Sequence, residues 1–260
     1  MQLETFDGID GRYGAVVLSP HLDDAALSCG ALIANRTAAR QPTLVVTFCS
    51  AAPDPASQFN TIAREFHAEW NLAPDEVVAA RLREDAAAMA ALGADYCYAG
   101  MTDAIYRAPE SYVDRSTLYA TPVPDDPLFA EVRRLLRLLL DRAPHATIYA
   151  PLAVGDHVDH RVTFAEVLAA DHPRAVFYED INYALIPGAV EARLAAIGRP
   201  MVPATADVTA GMDAKIAAIR AYASQQVALF GDPADMPRQI RDYAAGLLPG
   251  GYGERVWRLS

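Results

Sequence analysis

The chain has 260 residues, and 52% of them are hydrophobic, which is enough for the core of a single α/β domain spanning residues 1–260. Charged residues make up 21% and the formal net charge is -11, so the chain lacks the positive charge that binding to phosphates requires. This balance excludes nucleic acid as a partner.

Short apolar runs alternate with helical segments through the first half of the chain. Residues 15–18 are predicted to form a buried strand, which ends where Pro20 has no backbone N–H to donate to a sheet. Gly93 is typical of the residue that ends a helix. The other predicted elements of this half are helices at residues 25–39, 61–70 and 75–92 and strands at residues 44–48 and 94–98.

The second half continues the alternation after an irregular segment. Residues 109–126 contain several prolines and no clear periodicity, so we predict a long surface loop that borders a site. The remaining predicted elements are helices at residues 128–140, 159–170 and 210–224 and strands at residues 147–150 and 175–178. This order predicts a three-layer α/β fold with a mostly parallel sheet between helices.

The cysteines and the N-terminal segment indicate the cellular compartment of the protein. Cys29, Cys49 and Cys97 lack the paired spacings of a zinc ribbon or a redox pair, and an odd number does not indicate a disulfide framework. Residues 1–14 lack the basic start and apolar run of a signal peptide, and no apolar stretch reaches the roughly 20 residues of a membrane span. We therefore expect a cytoplasmic protein without a membrane span; a homo-oligomer stays an open alternative.

Two polar clusters each directly follow a predicted strand, where the loops of an open α/β sheet form the binding crevice. The first cluster, residues 19–24, reads Ser-Pro-His-Leu-Asp-Asp. His21 and Asp24 are candidates to bind one metal ion, which leaves Asp23 free to act as a base. A catalytic zinc takes about three nitrogen or oxygen ligands from the protein and keeps one open position for water.

The second cluster, residues 155–160, reads Gly-Asp-His-Val-Asp-His and enters a predicted helix. His157 and His160 are three residues apart and can share one face of a helical turn, so His160 is the natural third ligand and His157 lies near the open position. Taken singly, the first cluster is more typical of helix capping and the second of an exposed histidine pair. Together they favour a metal centre.

These clusters resemble the motifs of a known family. Ser-Pro-His-Leu-Asp-Asp is similar to the Pro-His-Pro-Asp-Asp-Glu signature of the PIG-L, or LmbE-like, N-deacetylases, and residues 157–160 are similar to their His-x-Asp-His motif. Weaker similarity extends through Arg81-x-x-Glu84, Leu92-Gly93, Asp103 after Gly100, and Tyr178-Glu179-Asp180.

The resemblance implies a Rossmann-like fold and hydrolysis of an N-acetyl group by zinc-activated water. The substrate class it implies is an amino sugar or a similar N-acetylated small molecule or glycoconjugate. The ligands of Zn²⁺ are then His21, Asp24 and His160. Nitrogen and carboxylate ligands also suit Fe²⁺, which is therefore an alternative metal.

Individual roles follow from the same resemblance. Asp23 is implied as the general base, and His157, in its protonated form, as the electrostatic or acid partner; Asp159 is implied to orient His157 and favour its charged form. Arg81 and Asp103 match positions that contact sugar hydroxyls. A surface ion pair for Arg81, loop capping for Asp103, and solvated loop carboxylates at Glu179 and Asp180 are the alternatives.

Three residues depart from the family pattern, and they limit which properties of the family can be inferred for this chain. Leu22 and Ala25 stand where the commonest signature has proline and glutamate, so the carboxylate at position 25 is absent. Gly155 stands where some sugar-specific members carry a tyrosine over the active site. The reaction type therefore transfers more securely than the identity of the substrate.

Three other functions compete with deacetylation. A metal-dependent phosphoesterase often uses two metals about 4 Å apart, whereas the clusters supply ligands for one. A nucleotide-binding oxidoreductase needs a glycine-rich loop, and the charges of Asp23 and Asp24 would repel its pyrophosphate. A catalytically silent sugar-binding member of the same fold is the third alternative.

Overall fold

A computed structural model describes residues 1–54, 56, 58–70 and 76–260. Its sheet has the strand order β3-β2-β1-β4-β5-β7-β6, in which the first five strands are parallel and the last two are antiparallel to their neighbours. The strands are β1 (Ala15–Ser19), β2 (Thr43–Cys49), β3 (Asp95–Met101), β4 (Thr147–Pro151), β5 (Ala175–Tyr178), β6 (Met201–Asp207) and β7 (Gly253–Leu259).

Helices cover both faces of the sheet. Alternate residues of β1 enter two apolar clusters: Val16 and Leu18 pack in the one that includes residues of α6 and α7, and Val17 packs in the one that includes residues of α3. The helices are α1 (Asp24–Ala38), α2 (Thr61–Trp70), α3 (Val77–Leu92), α4 (Ala104–Arg107), α5 (Arg115–Leu118), α6 (Pro127–Arg142), α7 (Val158–Ala170), α8 (Ala189–Ile197), α9 (Met212–Ala221), α10 (Gln226–Phe230) and α11 (Met236–Leu247).

The predicted fold class is confirmed, and the predicted helix at residues 61–70 and strand at residues 175–178 have the observed bounds. The predicted helix at residues 75–92 corresponds to α3 except at its start. Asp75 lies outside the described residues, and α3 begins at Val77, one residue after Glu76. The predicted helix 210–224 is instead a 3-10 turn, Thr209–Gly211, followed by the shorter α9. Among the described residues, no helix combines the length and the apolar character needed to cross a membrane.

Two regions differ from the prediction. Residues 109–126 do not form a plain surface loop, because they include α5 and the buried side chains of Tyr112, Leu118 and Asp126. The antiparallel strands β6 and β7 were not predicted. β6 contains Pro203 and is mostly exposed, as an edge strand tolerates, so it lacks the apolar run by which the buried strands are recognised.

Asp85 fixes helix α3, which carries Arg81, against the rest of the domain. It is buried and accepts hydrogen bonds from the hydroxyls of Tyr98 on β3, at 2.9 Å, and Tyr222, at 2.7 Å. Burial raises the pKa of Asp85 to about 6, although the two tyrosines and Arg81 oppose that rise. The ionised carboxylate is therefore the costly form in the folded chain.

This cost predicts a pH dependence of stability. The pKa of Asp85 is raised from 3.8 to about 6, so its stabilising contribution is fully present below pH 3.8 and is lost as the pH rises through 6. For Asp85→Asn, the free energy of unfolding relative to wild type should rise by about 2 kcal/mol between pH 4 and pH 7. Urea unfolding in chelator measures it, with exposed Asp242→Asn as the control; a difference that stays constant with pH would contradict this account.

Gly211 gives a second prediction, because it lies where the start of α9 meets α1. A Cβ at this position would lie 2.2 Å from the carbonyl oxygen of Ala31 and 2.8 Å from Oδ1 of Asn35. Gly211→Ala should therefore lower the free energy of unfolding by about 1–3 kcal/mol. Gly246→Ala is the matched control, since a Cβ there meets nothing within 4 Å and alanine is the better helix former. Equal urea midpoints for the two variants would refute the steric argument.

Candidate active site

The two polar clusters meet at the carboxyl ends of the parallel strands. β1 lies between β2 and β4, so the strand order reverses there, and in such sheets the crevice at this point is where ligands bind. A cavity of about 300 Å³ opens at this place. The predicted site residues that line it are His21, Asp23, Asp24, Arg81, Asp103, His157 and His160. Asp159 is fully buried next to them.

Three side chains converge as ligands of one ion should. Nδ1 of His21 lies 3.2 Å from Nε2 of His160, and Oδ2 of Asp24 lies 3.4 Å from the first nitrogen and 3.3 Å from the second. Ligands of a tetrahedral zinc, each about 2.0–2.1 Å from the metal, stand about 3.3 Å apart. Two imidazole nitrogens and one carboxylate oxygen therefore fit a divalent metal in both chemistry and spacing.

The turn after β1 holds the first two of these ligands in place. The hydroxyl of Ser19 donates to the carbonyl oxygen of His21 at 2.7 Å and accepts from the backbone N–H of Ala25 at 3.1 Å. The backbone N–H of His21 donates to Oδ2 of Asp24 at 2.7 Å. Although burial opposes it, His160 and His21 lower the pKa of Asp24 to about 2. Asp24 is thus an ionised carboxylate positioned for a cation.

Each histidine of this group contacts a buried carboxylate through its other ring nitrogen. Nδ1 of His160 lies 2.7 Å from Oδ1 of Asp180, whose Oδ2 accepts from the backbone N–H of Val154 at 2.8 Å. Nε2 of His21 lies 3.0 Å from Oδ2 of Asp159. Such contacts fix the tautomer and the orientation of metal-binding histidines. Asp180 is therefore no solvated loop carboxylate; it follows β5 and is 1% exposed.

Asp23 lies free of the metal-binding group and of the helix that follows it. It precedes α1, yet its side chain makes no capping hydrogen bond, so the capping interpretation does not hold here. Nη2 of Arg81 lies 3.4 Å from Oδ2 of Asp23. Burial raises the pKa of Asp23 to about 7, against the lowering effect of Arg81. Arg81 is itself buried, which rules out the surface ion pair.

The protonation state of His157 differs from the expected one. Its Nδ1 accepts the backbone N–H of Asp159 at 3.2 Å, so the ring proton is on Nε2. Burial and the neighbouring His21 lower the pKa of His157 well below its usual value, which favours the neutral ring over the protonated one. Asp159 does contact His157, but this hydrogen bond comes from its backbone, while its carboxylate faces His21 and Arg107.

Arg107 is a site component that the sequence interpretation missed. Its guanidinium donates to Oδ1 of Asp159 at 2.5 Å and to both carboxylate oxygens of Asp126 at 2.7 and 2.9 Å. Tyr112 also donates to Asp126, at 2.8 Å. Although burial opposes it, Arg107 holds the pKa of Asp159 well below its usual range. The sequence before Pro127 indicates only that Asp126 caps a helix, and nothing local marks its pairing with Arg107.

Asp103 and Tyr183 also line the cavity. Oδ1 of Asp103 accepts from the backbone N–H of Ile105 at the start of α4, as the capping alternative predicts, and Oδ2 lies 3.5 Å from Nε2 of His21. Tyr183, which was not predicted, also lines the cavity and packs on Gly155. A Cβ at position 155 would lie 2.3 Å from the Tyr183 ring, so only glycine fits there.

Comparison with known proteins agrees with this geometry. The family model described as PIG-L, GlcNAc-PI de-N-acetylase, matches residues 16–170, which include both clusters. The chain belongs to the PIG-L family. The 2'-N-acetylparomamine deacetylase of Streptomyces fradiae is 30% identical over 227 residues, which are 82% of this chain and 74% of that protein.

Solved structures of PIG-L relatives share the whole fold. The zinc inhibited form of the teicoplanin deacetylase Orf2 has a TM-score of 0.78 and 30% identity, covering 94% of this chain and 96% of that one. The A40926 pseudoaglycone deacetylase Dbv21 has a TM-score of 0.76 and 26% identity, covering 96% of this chain and 98% of that one. Family membership confirms the predicted enzyme class, a metal-dependent N-deacetylase that acts on an amino-sugar-like substrate.

The contact between Asp180 and His160 gives a test of the metal centre. Asp180→Ala should weaken zinc binding about 10–100-fold, because the ring of His160 loses the carboxylate that orients it. Titration of metal-free protein against a zinc indicator measures the dissociation constant. Asp213→Ala, at an exposed acid on α9, is the control and should bind zinc as wild type does. Equal affinity in both variants would mean that Asp180 does not support the site.

Proposed function

We propose that the protein hydrolyses the N-acetyl group of an N-acetylglucosamine-type sugar in a small glycoside or glycoconjugate, with Zn²⁺ held by His21, Asp24 and His160. The observation that carries this proposal is the convergence of three donor atoms at separations of 3.2, 3.3 and 3.4 Å. Those separations match the spacing of ligands around a tetrahedral zinc, which is about 3.3 Å. The names of the PIG-L model and of the deacetylase relatives support the sugar amide as substrate.

When bound, the metal would supply Lewis-acid chemistry, polarising the amide carbonyl and lowering the pKa of water. Asp23 takes the proton of the attacking water, because it is the carboxylate that is free of the metal-binding group, and Arg81 restrains its orientation. Water oxygen bonds to the acetyl carbon, the C–N bond breaks, and Asp23 returns the proton to the departing amine. The products are acetate and a free amino sugar.

The histidine that binds no metal stabilises negative charge on the reacting carbonyl oxygen. His157 has Nδ1 engaged by the backbone N–H of Asp159, so the Nε2–H of its neutral ring is available to donate. A positioned donor of this kind supplies several kcal/mol of stabilisation to an oxyanion, about 2.7–4 kcal/mol. Asp159 contributes by orienting both His157, through its backbone, and His21, through its carboxylate. Arg81 and Asp103 line the cavity, and we expect them to bind sugar hydroxyls.

We also propose the metal and the cellular location. The nitrogen and carboxylate donors also suit Fe²⁺, so metal availability decides between iron and zinc. The cysteines Cys29, Cys49 and Cys97 are free and buried, which supports the expectation of a reducing cytoplasm.

Amine release tests the function directly. We expect the protein to release amine from N-acetylglucosamine glycosides, to lose that activity after treatment with a chelator, and to regain it with one equivalent of Zn²⁺ or of anaerobic Fe²⁺. Phosphate release from an aryl phosphate is assayed in parallel. Release of phosphate without amine would favour the phosphoesterase, and tight sugar binding without turnover would favour a silent sugar-binding protein.

Two variants separate the base from the ligands. Asp23→Asn should keep its metal and lose about 100-fold or more of kcat, the usual contribution of a general base. His160→Ala should lose both metal and activity, whereas His145→Ala, at an exposed histidine, should lose neither. Metal analysis and kcat are measured on the same preparations. A near-normal kcat in Asp23→Asn would remove Asp23 from this role, and full metal occupancy in His160→Ala would remove His160 from the ligands.

A further inference from the structure

The cavity has a second wall that the hydrolysis of an acetamide does not use. Beyond the strand ends, its lining comes from α2, from the segment around α5 and from α10. We call the apolar part of this lining the aromatic wall; its members are Phe66, Trp70, Leu118, Tyr119 and Leu229. The rings of Phe66 and Trp70, one helical turn apart on α2, are stacked with centroids 5.3 Å apart and an interplanar angle of 29°.

Arg81 connects the aromatic wall to the reaction centre. Its Nη2 lies 3.4 Å from Asp23, and its guanidinium carbon lies 5.3 Å from the centre of the Trp70 ring. A single guanidinium group therefore separates the proposed base from the aromatic wall. Nε of Arg81 is buried and has no hydrogen-bond partner among the described residues. A sugar ring bound by Arg81 would direct its next substituent toward the aromatic wall.

The charges on this side of the cavity are already paired. Arg115 forms a salt bridge with Glu69, and its guanidinium carbon lies 4.8 Å from the centre of the Phe66 ring. Glu69 is the single acidic side chain that the described residues of α2, α5 and α10 contribute to the lining. The aromatic wall thus offers apolar surface on which a ring can stack. It offers no unpaired carboxylate that could bind an ammonium group of a substrate.

We propose that the aromatic wall binds an apolar aglycone, aromatic or aliphatic, attached to the N-acetylated sugar. The inference rests on the proposed function and names the substrate class of the same site. We therefore expect an aryl or alkyl glycoside to be a better substrate than a polycationic aminocyclitol glycoside. The aglycone stays attached to the sugar throughout, because the bond that breaks is the acetamide C–N bond.

Four substrates on the wild-type protein test this preference. They are the methyl, phenyl and octyl glycosides of N-acetylglucosamine, in matched anomeric form, and 2'-N-acetylparomamine. We expect kcat/KM for the phenyl and octyl glycosides to exceed that for the methyl glycoside by about 10-fold, because each buries apolar surface on the aromatic wall. 2'-N-acetylparomamine should not exceed the methyl glycoside.

The outcomes distinguish this inference from the function beneath it. Equal kcat/KM for the methyl, phenyl and octyl glycosides, or a preference for 2'-N-acetylparomamine, would overturn the aglycone inference and leave N-deacetylation intact. Absence of amine release from all four compounds would contradict the proposed function, and the inference would fall with it.

Phe66→Ala assigns the preference to the aromatic wall. The ratio of kcat/KM for the phenyl and methyl glycosides should fall from about 10 toward 1, mainly through KM of the phenyl glycoside. This ratio compares two substrates on one preparation, so partial unfolding of the variant cancels. Val227→Ala is the matched control, since Val227 lies on α10 but is 65% exposed and outside the lining, and it should keep the wild-type ratio. An unchanged ratio in Phe66→Ala would contradict the assignment of the substrate preference to the aromatic wall.

Discussion

His21 joins the two motifs because its two ring nitrogens face different halves of the site. Nδ1 faces His160 and Asp24 at 3.2 and 3.4 Å, where a metal fits, and Nε2 faces Asp159 at 3.0 Å. An imidazole whose far nitrogen is held by a carboxylate has a fixed tautomer and a fixed ring plane. The position of Asp159 therefore affects how His21 presents its Nδ1 to His160 and Asp24.

Holding a carboxylate at that depth requires a compensating cation. The Asp159 side chain has no exposed surface, and a buried charge is tolerated only when it is paired and hydrogen-bonded. Arg107 supplies the pairing, and it also holds Asp126, to which Tyr112 donates a further hydrogen bond. These hydrogen bonds connect the reaction centre to residues 109–126, the segment that the sequence predicts to be a surface loop.

The parts that the sequence predicts are those whose signal is local. β1 and β4 are almost entirely buried, so they read as continuous apolar runs, and the two polar clusters lie at or shortly after their carboxyl ends. Contacts between distant residues leave no such signal. Arg107 and Asp159 are separated by 52 positions, and Asp180 and His160 by 20. The lowered pKa of His157 depends on its burial and on the neighbouring His21, neither of which the motif specifies.

The same long-range contacts relate specificity to catalysis. Leu118 and Tyr119 of the aromatic wall lie between Tyr112 and Asp126, and both of these anchors belong to the network of Arg107. The hydrogen bonds that hold Asp159 therefore also hold the two ends of the segment that carries Leu118 and Tyr119. A change of aglycone preference within this fold is then expected to arise from side chains between the two anchors, because replacing an anchor would also displace the carboxylate behind His21.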